Sequence, residues 1–159
     1  MPRVDPDIRI TPSVLDRLLD DGTVEPLGES HRVGELKRVV GRDLEALLNT
    51  RREVLDEIPG EFAETGHSLL VYGLPDFSAL NLASTQDRNQ VRRTLEEVIA
   101  TFEPRLERVR VSMEEPRPFD RGLHFRIDAV LRVEPAPEPV TFDAVLQLTT
   151  QQYAVEGTA

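Results

Sequence analysis

Two hydrophobic periodicities divide this chain, one in its first two thirds and the other towards its end. Up to residue 102, several segments place an apolar residue every three or four positions, which predicts amphipathic helices. From residue 108 onwards, apolar and polar residues alternate, which predicts strands with one buried and one wetted face. This order predicts an α+β fold, with N-terminal helices packed on one face of a C-terminal antiparallel sheet.

Three helices are predicted. The first is short and lies between Thr11 and Asp21, the second runs from Ser30 to about Asn49, and the third follows a cap at Ser84 or Thr85. The third helix must end before Pro104, because proline cannot continue the helical hydrogen-bond pattern. The residues with helical spacing are Val14, Leu15, Leu18 and Leu19; Val33, Leu36, Val40, Leu44 and Leu47; and Val91, Leu95, Val98, Ile99 and Phe102.

Residues 56–82 are rich in proline and glycine, which predicts an irregular stretch with short helical turns near Ser68–Tyr72 and Ser78–Leu82. A compact stretch of this length without regular elements often carries function.

The sheet is predicted to have about four strands. The first alternates through Val109, Val111 and Met113, the second covers residues 123–133, the third covers 140–148, and a short last strand contains Tyr153 and Val155. The proline-rich run 134–139 turns the chain between the second and third strands. We expect a single domain over residues 1–159, with residues 1–10 flexible.

Composition narrows the class of protein. The 159 residues are 39% hydrophobic and 30% charged, which is typical of a globular domain. The start lacks the apolar stretch of a secretory signal, no run approaches the length that spans a membrane, and cysteine is absent, so we expect a cytoplasmic protein. A net charge of −10 disfavours binding to nucleic acid or anionic lipid.

The run Glu103-Pro104-Arg105 joins the last predicted helix to the first strand. Proline stiffens this elbow, and an extended backbone directs Glu103 and Arg105 to about the same side. An acid and a base held in this way either dock a partner or brace the fold. Arg105 offers a bidentate fork to a carboxylate or to backbone carbonyls, while Glu103 either holds that fork or meets a basic partner.

Several segments resemble the family of phage baseplate wedge proteins and their type VI secretion counterpart, TssE. They are Val40–Arg52, Ser68–Asp76, the elbow Phe102–Leu106, the strand Thr141-Phe142-Asp143 and the strand containing Tyr153. The resemblance covers roughly residues 10–156, and the segment Pro12–Asp21 favours the type VI branch over a phage tail or phage-like particle.

The resemblance implies a structural protein, without catalysis or cofactor, at an inner-membrane-associated baseplate. Its partners would be the wedge subunits TssF, TssG and TssK, with Glu103, Pro104 and Arg105 docking on their helical core bundle. The sheet would give the contractile sheath a template by strand pairing between chains, since an edge strand accepts a further strand. The sheath-facing edge is expected at Thr141, Asp143, Tyr153 and Val155. Alanine at Glu103 or Arg105 is expected to leave the fold intact and to weaken wedge assembly.

Five further residues are candidates for structural or interface support. Asp43 lies inside the second helix, and Arg51 and Arg52 follow its end, where a cation favours the helix dipole by about 0.3–1 kcal/mol. The dipole does not require two arginines, so we hypothesise that one of them braces the sheet or a wedge neighbour. Pro75 and Asp76 belong either to a binding loop or to a plain turn that covers one end of the core.

A hydrolase active site or a metal site has weaker support from the sequence. A lysozyme-like peptidoglycan hydrolase needs two carboxyl groups beside a sugar cleft, for which Glu103 with Glu107, or Glu114 with Glu115, are nominal pairs. Such pairs arise by chance among 29 acidic residues, and the chain has no tryptophan on which a sugar would stack. No metal is expected, because His31, His67 and His124 lack the spacing of paired ligands.

Overall fold

The computed structural model describes residue 18 and residues 29–52, 63–81, 84–114, 122–133, 136–147 and 152–158. Two α-helices are present in this part of the chain, α1 (Glu29–Asn49) and α2 (Thr85–Phe102), with two 3₁₀ helices between them at Ala63–His67 and Leu69–Val71. Four strands follow: β1 (Leu106–Met113), β2 (Gly122–Leu131), β3 (Glu138–Gln147) and β4 (Gln152–Thr158). This arrangement confirms the predicted α+β class.

The boundaries of α2 follow from its capping residues. The Ser84 hydroxyl accepts the Asp87 backbone N–H at 3.4 Å, and the Glu103 N–H donates to the Ile99 carbonyl at 2.8 Å. The predicted turn near Ser68–Tyr72 is the second 3₁₀ helix, and Leu80 closes a further turn by donating to Phe77 at 3.0 Å. The helix predicted at 11–21 lies outside the described residues apart from Leu18, which is helical and 77% exposed. Residues 1–10 and Leu82 are also outside them.

The strands form an antiparallel sheet in the order β1-β2-β3-β4, so β1 and β4 are its edges. The prediction that Thr141 and Asp143 lie at an edge is therefore wrong. Both residues belong to β3, which pairs with β2 on one side and with β4 on the other. Tyr153 and Val155 do lie on an edge strand. Alternation alone did not distinguish inner from outer strands, because both kinds bury one face of the sheet.

A β-bulge interrupts β1. The register passes from Glu107 opposite Val130 to Arg110 opposite Asp128, so β1 holds one extra residue, and Arg108 adopts a φ of 54°. The bulge reverses the alternation, which brings both Leu106 and Val111 into the core although the four residues between them would put them on opposite faces of a regular strand. The sequence predicted an unbroken alternation from residue 108.

The core lies between one face of the sheet and the two helices. Helix α1 packs along β4 and α2 packs along β1, while the two helices have little contact with each other. The largest fully buried side chains include Phe125, Phe142, Leu44, Leu47, Leu95 and Ile99. No helix in the described part of the chain is long and apolar enough to cross a membrane.

Candidate interaction surfaces

The corner between α2 and β1 carries the acid-proline-arginine run. The backbone turns at Glu103, whose carbonyl accepts the Leu106 N–H at 3.0 Å, and the Arg105 carbonyl accepts the Arg132 N–H at 2.8 Å. The corner is thus bonded both to itself and to the chain just after β2. Since Pro104 also fixes its own φ, little freedom remains in this backbone.

The Arg105 side chain is held by two carboxylates. Its Nε donates to Glu103 Oε1 at 2.6 Å and its Nη2 donates to Glu103 Oε2 at 2.5 Å, which is a bidentate pair. Nη2 also donates to Asp43 Oδ2 at 2.7 Å, so the pair ties α1 to the corner. Glu103 is only 4% exposed. Of the two roles considered for Glu103, the structure shows the one in which it holds the arginine fork.

The charges of this cluster stabilise one another. The hydrogen bond that Arg105 donates to Glu103 raises the pKa of Arg105, and the bond to Asp43 adds to this effect, although burial acts in the opposite direction. Burial also raises the pKa of Tyr72, with smaller contributions from the negative charges of Asp43 and Glu103. The Tyr72 ring meets the Phe102 ring edge-on, with centroids 5.2 Å apart. This contact packs the described segment 63–81, which we call the loop, against the end of α2.

Only part of the corner remains available to another molecule. Pro104 is exposed, and the Arg105 and Asp43 side chains are 21% and 26% exposed. The Arg105 Nη1 atom is buried and has no hydrogen-bond partner among the residues that the structure describes. A partner would therefore meet a rigid proline ring beside the rim of a compensated ion pair, which suits docking better than proton transfer.

The carboxylate pairs considered for a hydrolase do not converge on a cleft. Glu103 bonds Arg105, whereas Glu107 Oε1 lies 3.1 Å from Arg132 Nε. Glu114 lies 3.9 Å from Arg126, and Glu115 is outside the described residues. Glu103, Glu107 and Glu114 thus each lie beside an arginine.

The support residues separate into two groups. Asp43 pairs with Arg105 and with Arg42, not with the arginines that follow α1. Arg51 and Arg52 instead lie in a short parallel bridge to the loop, in which the Arg52 N–H donates to the Leu74 carbonyl at 2.9 Å. Asp76 accepts the Ser78 backbone N–H at 2.9 Å, and this bond lowers the pKa of its carboxyl group.

A cavity of about 220 Å³ lies where the end of α1, the loop and the sheet meet. It brings together four of the residues singled out from the sequence, namely Arg51, Pro75, Asp76 and Tyr153. The Tyr153 hydroxyl is buried and finds no hydrogen-bond partner in the described part of the chain, and burial raises the pKa of Tyr153 to about 12.

The β4 edge is partly covered by α1. The Asn49 amide nitrogen donates to the Tyr153 carbonyl at 2.8 Å, its oxygen accepts the Tyr153 N–H at 2.8 Å, and Glu45 Oε2 accepts the Val155 N–H at 3.0 Å. Sequence reasoning missed both helix residues. Their spacing of four, which puts them on one helical face, was the available signal.

The other edge is covered in a related way. Glu96 on α2 accepts the Val111 N–H of β1 at 2.9 Å, while Arg92 holds the same carboxylate at 3.0 Å. Each edge strand therefore has a backbone N–H bonded to a carboxylate from the helix that packs beside it.

Two exposed leucines mark the loop. Leu69 and Leu70, in the second 3₁₀ helix, are 87% and 65% exposed, while Val71 beside them is buried. The family resemblance drew attention to this segment, but the sequence did not indicate which of its apolar residues face outwards.

Comparisons with known proteins place this geometry in a family. The anti-adapter protein IraD of Salmonella arizonae is 30% identical over 132 residues, which cover 83% of this chain and 87% of that protein. No solved structure matches the chain. The model of the family described as baseplate wedge protein gp25 matches residues 34–136, which include most of α1, the loop and the whole corner. The chain therefore belongs to the baseplate wedge protein gp25 family.

Proposed function

We propose that this chain is the TssE-type baseplate subunit of a bacterial type VI secretion machine and joins the wedge to the contractile sheath. Membership of the wedge family supports a structural role in a baseplate. The observation that carries the proposal further is the corner, in which Asp43 and Glu103 hold Arg105 in place beside an exposed Pro104. The subunit would act in the cytoplasm, at a baseplate associated with the inner membrane.

The corner is suited to docking on a helical bundle built by TssF and TssG, with TssK as a further neighbour. Its side chains are ordered before a partner arrives, so binding loses less conformational entropy than a flexible motif would. The exposed proline ring supplies apolar contact, and the rim of the Arg105–Asp43 pair supplies charge.

Co-purification of the tagged chain with TssF, TssG and TssK tests the docking role. We expect Arg105→Ala to weaken recovery of these subunits at least about tenfold, which corresponds to about 1.4 kcal/mol. Arg132→Ala is the matched control, because Arg132 is an exposed arginine whose side chain pairs with the surface residue Glu107. Full recovery by a folded Arg105→Ala variant would contradict the docking role.

The burial of Glu103 changes what its replacement should do. The sequence predicted an intact fold for Glu103→Ala, but this residue is 4% exposed and bonds a partly buried guanidinium. Removing it leaves Arg105 with Asp43 alone, and we expect a loss of about 1–3 kcal/mol in the free energy of unfolding. Thermal unfolding must therefore accompany each binding experiment on this variant.

For the sheath-facing surface we propose β4, the edge strand that carries Tyr153 and Val155. Main-chain hydrogen bonds to an added strand give affinity with little demand on sequence, which suits the nucleus of a polymer.

The same subunit in a phage tail or phage-like particle would use the same surfaces, and the neighbouring genes in the genome distinguish the two assemblies.

A second candidate function is the binding of an adaptor protein, which the name of the relative from Salmonella arizonae suggests. The identity of 30% over 83% of the chain favours this candidate. Titration of the chain with a purified adaptor protein from the same bacterium tests it: saturable binding together with failure to recover wedge subunits would replace the baseplate proposal.

A peptidoglycan zymogram tests the hydrolase alternative, and a cleared band would contradict a purely structural role.

A further inference from the structure

We propose that α1 gates the β4 edge, so that a partner strand pairs first at Gly157 and then displaces Glu45 and Asn49 in turn. The inference rests on the proposed function only in taking β4 as the strand that receives a partner. It specifies where pairing starts, what opposes it and which charge the partner strand carries.

Asn49 imitates a neighbouring strand. Its side-chain amide donates to the carbonyl and accepts the N–H of the same residue, Tyr153, with both distances at 2.8 Å. Two residues in a hydrogen-bonded antiparallel pair exchange this same set of bonds. A partner strand cannot bond Tyr153 until Asn49 leaves.

Glu45 lies opposite Val155, the next residue of β4 whose backbone N–H faces α1. Its carboxylate accepts the Val155 N–H at 3.0 Å. Four helical residues rise about 6 Å, and two strand residues rise about 6.6 Å, so each step of four along α1 matches a step of two along β4. The helix therefore places one residue opposite each residue of β4 whose backbone N–H faces α1.

The third position of this series is open. A further step of four along α1 reaches Gly41, and a further step of two along β4 reaches Gly157. Neither residue has a side chain, and Cβ atoms built on them would lie 3.7 Å and 3.8 Å from the same Phe142 ring. In the described part of the chain, no side chain bonds the outward-facing backbone of Gly157, which is exposed. Strand pairing can therefore begin at Gly157 without displacing a side chain of any residue that the structure describes.

The chemistry of the gate indicates the partner's charge. When Val155 pairs with an incoming strand, the Glu45 carboxylate loses its donor, and the exposed Glu156 lies on the same edge strand. The chain as a whole carries a net charge of −10. An extended segment with alternating basic residues would compensate these carboxylates, whereas an acidic strand would be repelled.

The probe is a capped, fluorescently labelled peptide of alternating valine and lysine, with a valine–glutamate peptide for comparison. Its binding is measured by fluorescence anisotropy on wild type, Asn49→Ala and Gly157→Pro. Asn89→Ala is the matched control, because Asn89 is exposed on α2, the helix that packs along β1. Proline at Gly157 removes the N–H at which pairing would start.

We expect Asn49→Ala to bind the lysine peptide at least tenfold more tightly than wild type, Asn89→Ala to match wild type, and Gly157→Pro to lose binding. Amide exchange should rise at least tenfold at Tyr153 in Asn49→Ala. Should Asn49→Ala destabilise the chain, Asn49→Asp, which keeps the acceptor and loses the donor, should bind with intermediate affinity. Equal affinity in wild type and a folded Asn49→Ala would overturn the gate, and so would unchanged binding by Gly157→Pro.

The two proposals fail separately. Loss of peptide binding in every variant, with normal recovery of TssF and TssG through the corner, would overturn the gate alone. Equal binding of the lysine and glutamate peptides would overturn the inferred basic partner. Normal peptide results with no recovery of wedge subunits would leave the gate standing and contradict the baseplate role.

Discussion

Gly73 occupies a backbone conformation that other residues tolerate poorly. Its φ is 102°, and a Cβ atom at this position would lie 2.3 Å from the Thr50 carbonyl oxygen. That carbonyl accepts the Leu74 N–H and so belongs to the contact between the end of α1 and the loop. A side chain at residue 73 would therefore strain the backbone and separate the two segments.

We expect Gly73→Ala to lower the free energy of unfolding by at least about 2 kcal/mol, because strain and a backbone clash act together. Urea unfolding measures the change. Gly66→Ala is the control, since a Cβ there meets nothing within 4 Å. Similar midpoints for the two variants would show that the chain near Thr50 moves aside at little cost.

The buried hydroxyl of Tyr153 makes the free energy of unfolding depend on pH in the alkaline range. Burial raises the pKa of Tyr153 from 10.0 to about 12, so the folded state holds this proton more tightly than the unfolded state. The stabilisation is fully present below pH 10 and is lost as the pH rises towards 12, by about 1.4 kcal/mol per pH unit at most. The direction follows because the unfolded chain releases the proton first.

Tyr153→Phe should remove this pH dependence from the unfolding profile between pH 9 and pH 12. At neutral pH the variant should be as stable as wild type or more stable by up to about 1 kcal/mol, because the lost hydroxyl had no partner. Chemical unfolding at a series of pH values measures both effects. An unchanged alkaline slope in the variant would assign the loss of stability to other groups.

At the scale of elements, the helices protect the edges of the sheet that they pack beside. Glu45 and Asn49 cover β4, and Glu96 covers β1. Exposed edges favour unwanted pairing with other chains, so a partly covered edge with one open end combines solubility with selective docking. The secondary-structure elements thereby set which segment of the sheet a partner reaches first.

The bulge in β1 leads to a prediction at this scale. Arg108 has a φ of 54°, a conformation that costs most residues about 1–2 kcal/mol but costs glycine little. We expect Arg108→Gly to be neutral or slightly stabilising, because relief of strain offsets the added freedom of the unfolded chain. Arg110→Gly, in regular strand geometry two residues later, should lose about 0.5–1 kcal/mol. Thermal unfolding measures both variants, and an equal decrease in the free energy of unfolding for Arg108→Gly and Arg110→Gly would indicate that the bulge does not strain Arg108.

At the scale of the whole molecule, α1 connects the two proposed surfaces. Asp43 bonds Arg105 at the corner, whereas Glu45 and Asn49 bond the opposite edge of the sheet. One helix therefore carries a residue of the proposed docking corner and the residues that cover β4, the strand proposed to face the sheath. A rigid connection of this kind suits a subunit that holds two assemblies in fixed geometry.

A single core supports all of these surfaces. Phe125 is 2% exposed, and its ring centre lies 6.1 Å from that of Tyr153. We expect Phe125→Asp to unfold the domain, since an unpaired buried carboxylate costs several kcal/mol, about the whole stability of such a domain. Ser112→Asp, at an exposed position of the same sheet, should remain folded. Circular dichroism distinguishes these results, and a cooperative transition in Phe125→Asp would contradict the core assignment.

The sequence by itself determined the class of fold, both helices of the described chain and the buried faces of β2, β3 and β4. Those features follow from local periodicity, because a helix or strand must turn its apolar residues towards the core. It also singled out Glu103 and Arg105 as an acid and a base on about the same side of the elbow, but it left open whether they bond each other, which the structure shows.

Only the tertiary structure decided which strands are edges, where β1 bulges and which residues meet from distant segments. Asp43 and Arg105, and Asn49 and Tyr153, are far apart in sequence, and their contacts depend on how the helices lie across the sheet. Periodicity reports which face of an element is buried, but it carries no information about the neighbour against which that face or edge packs.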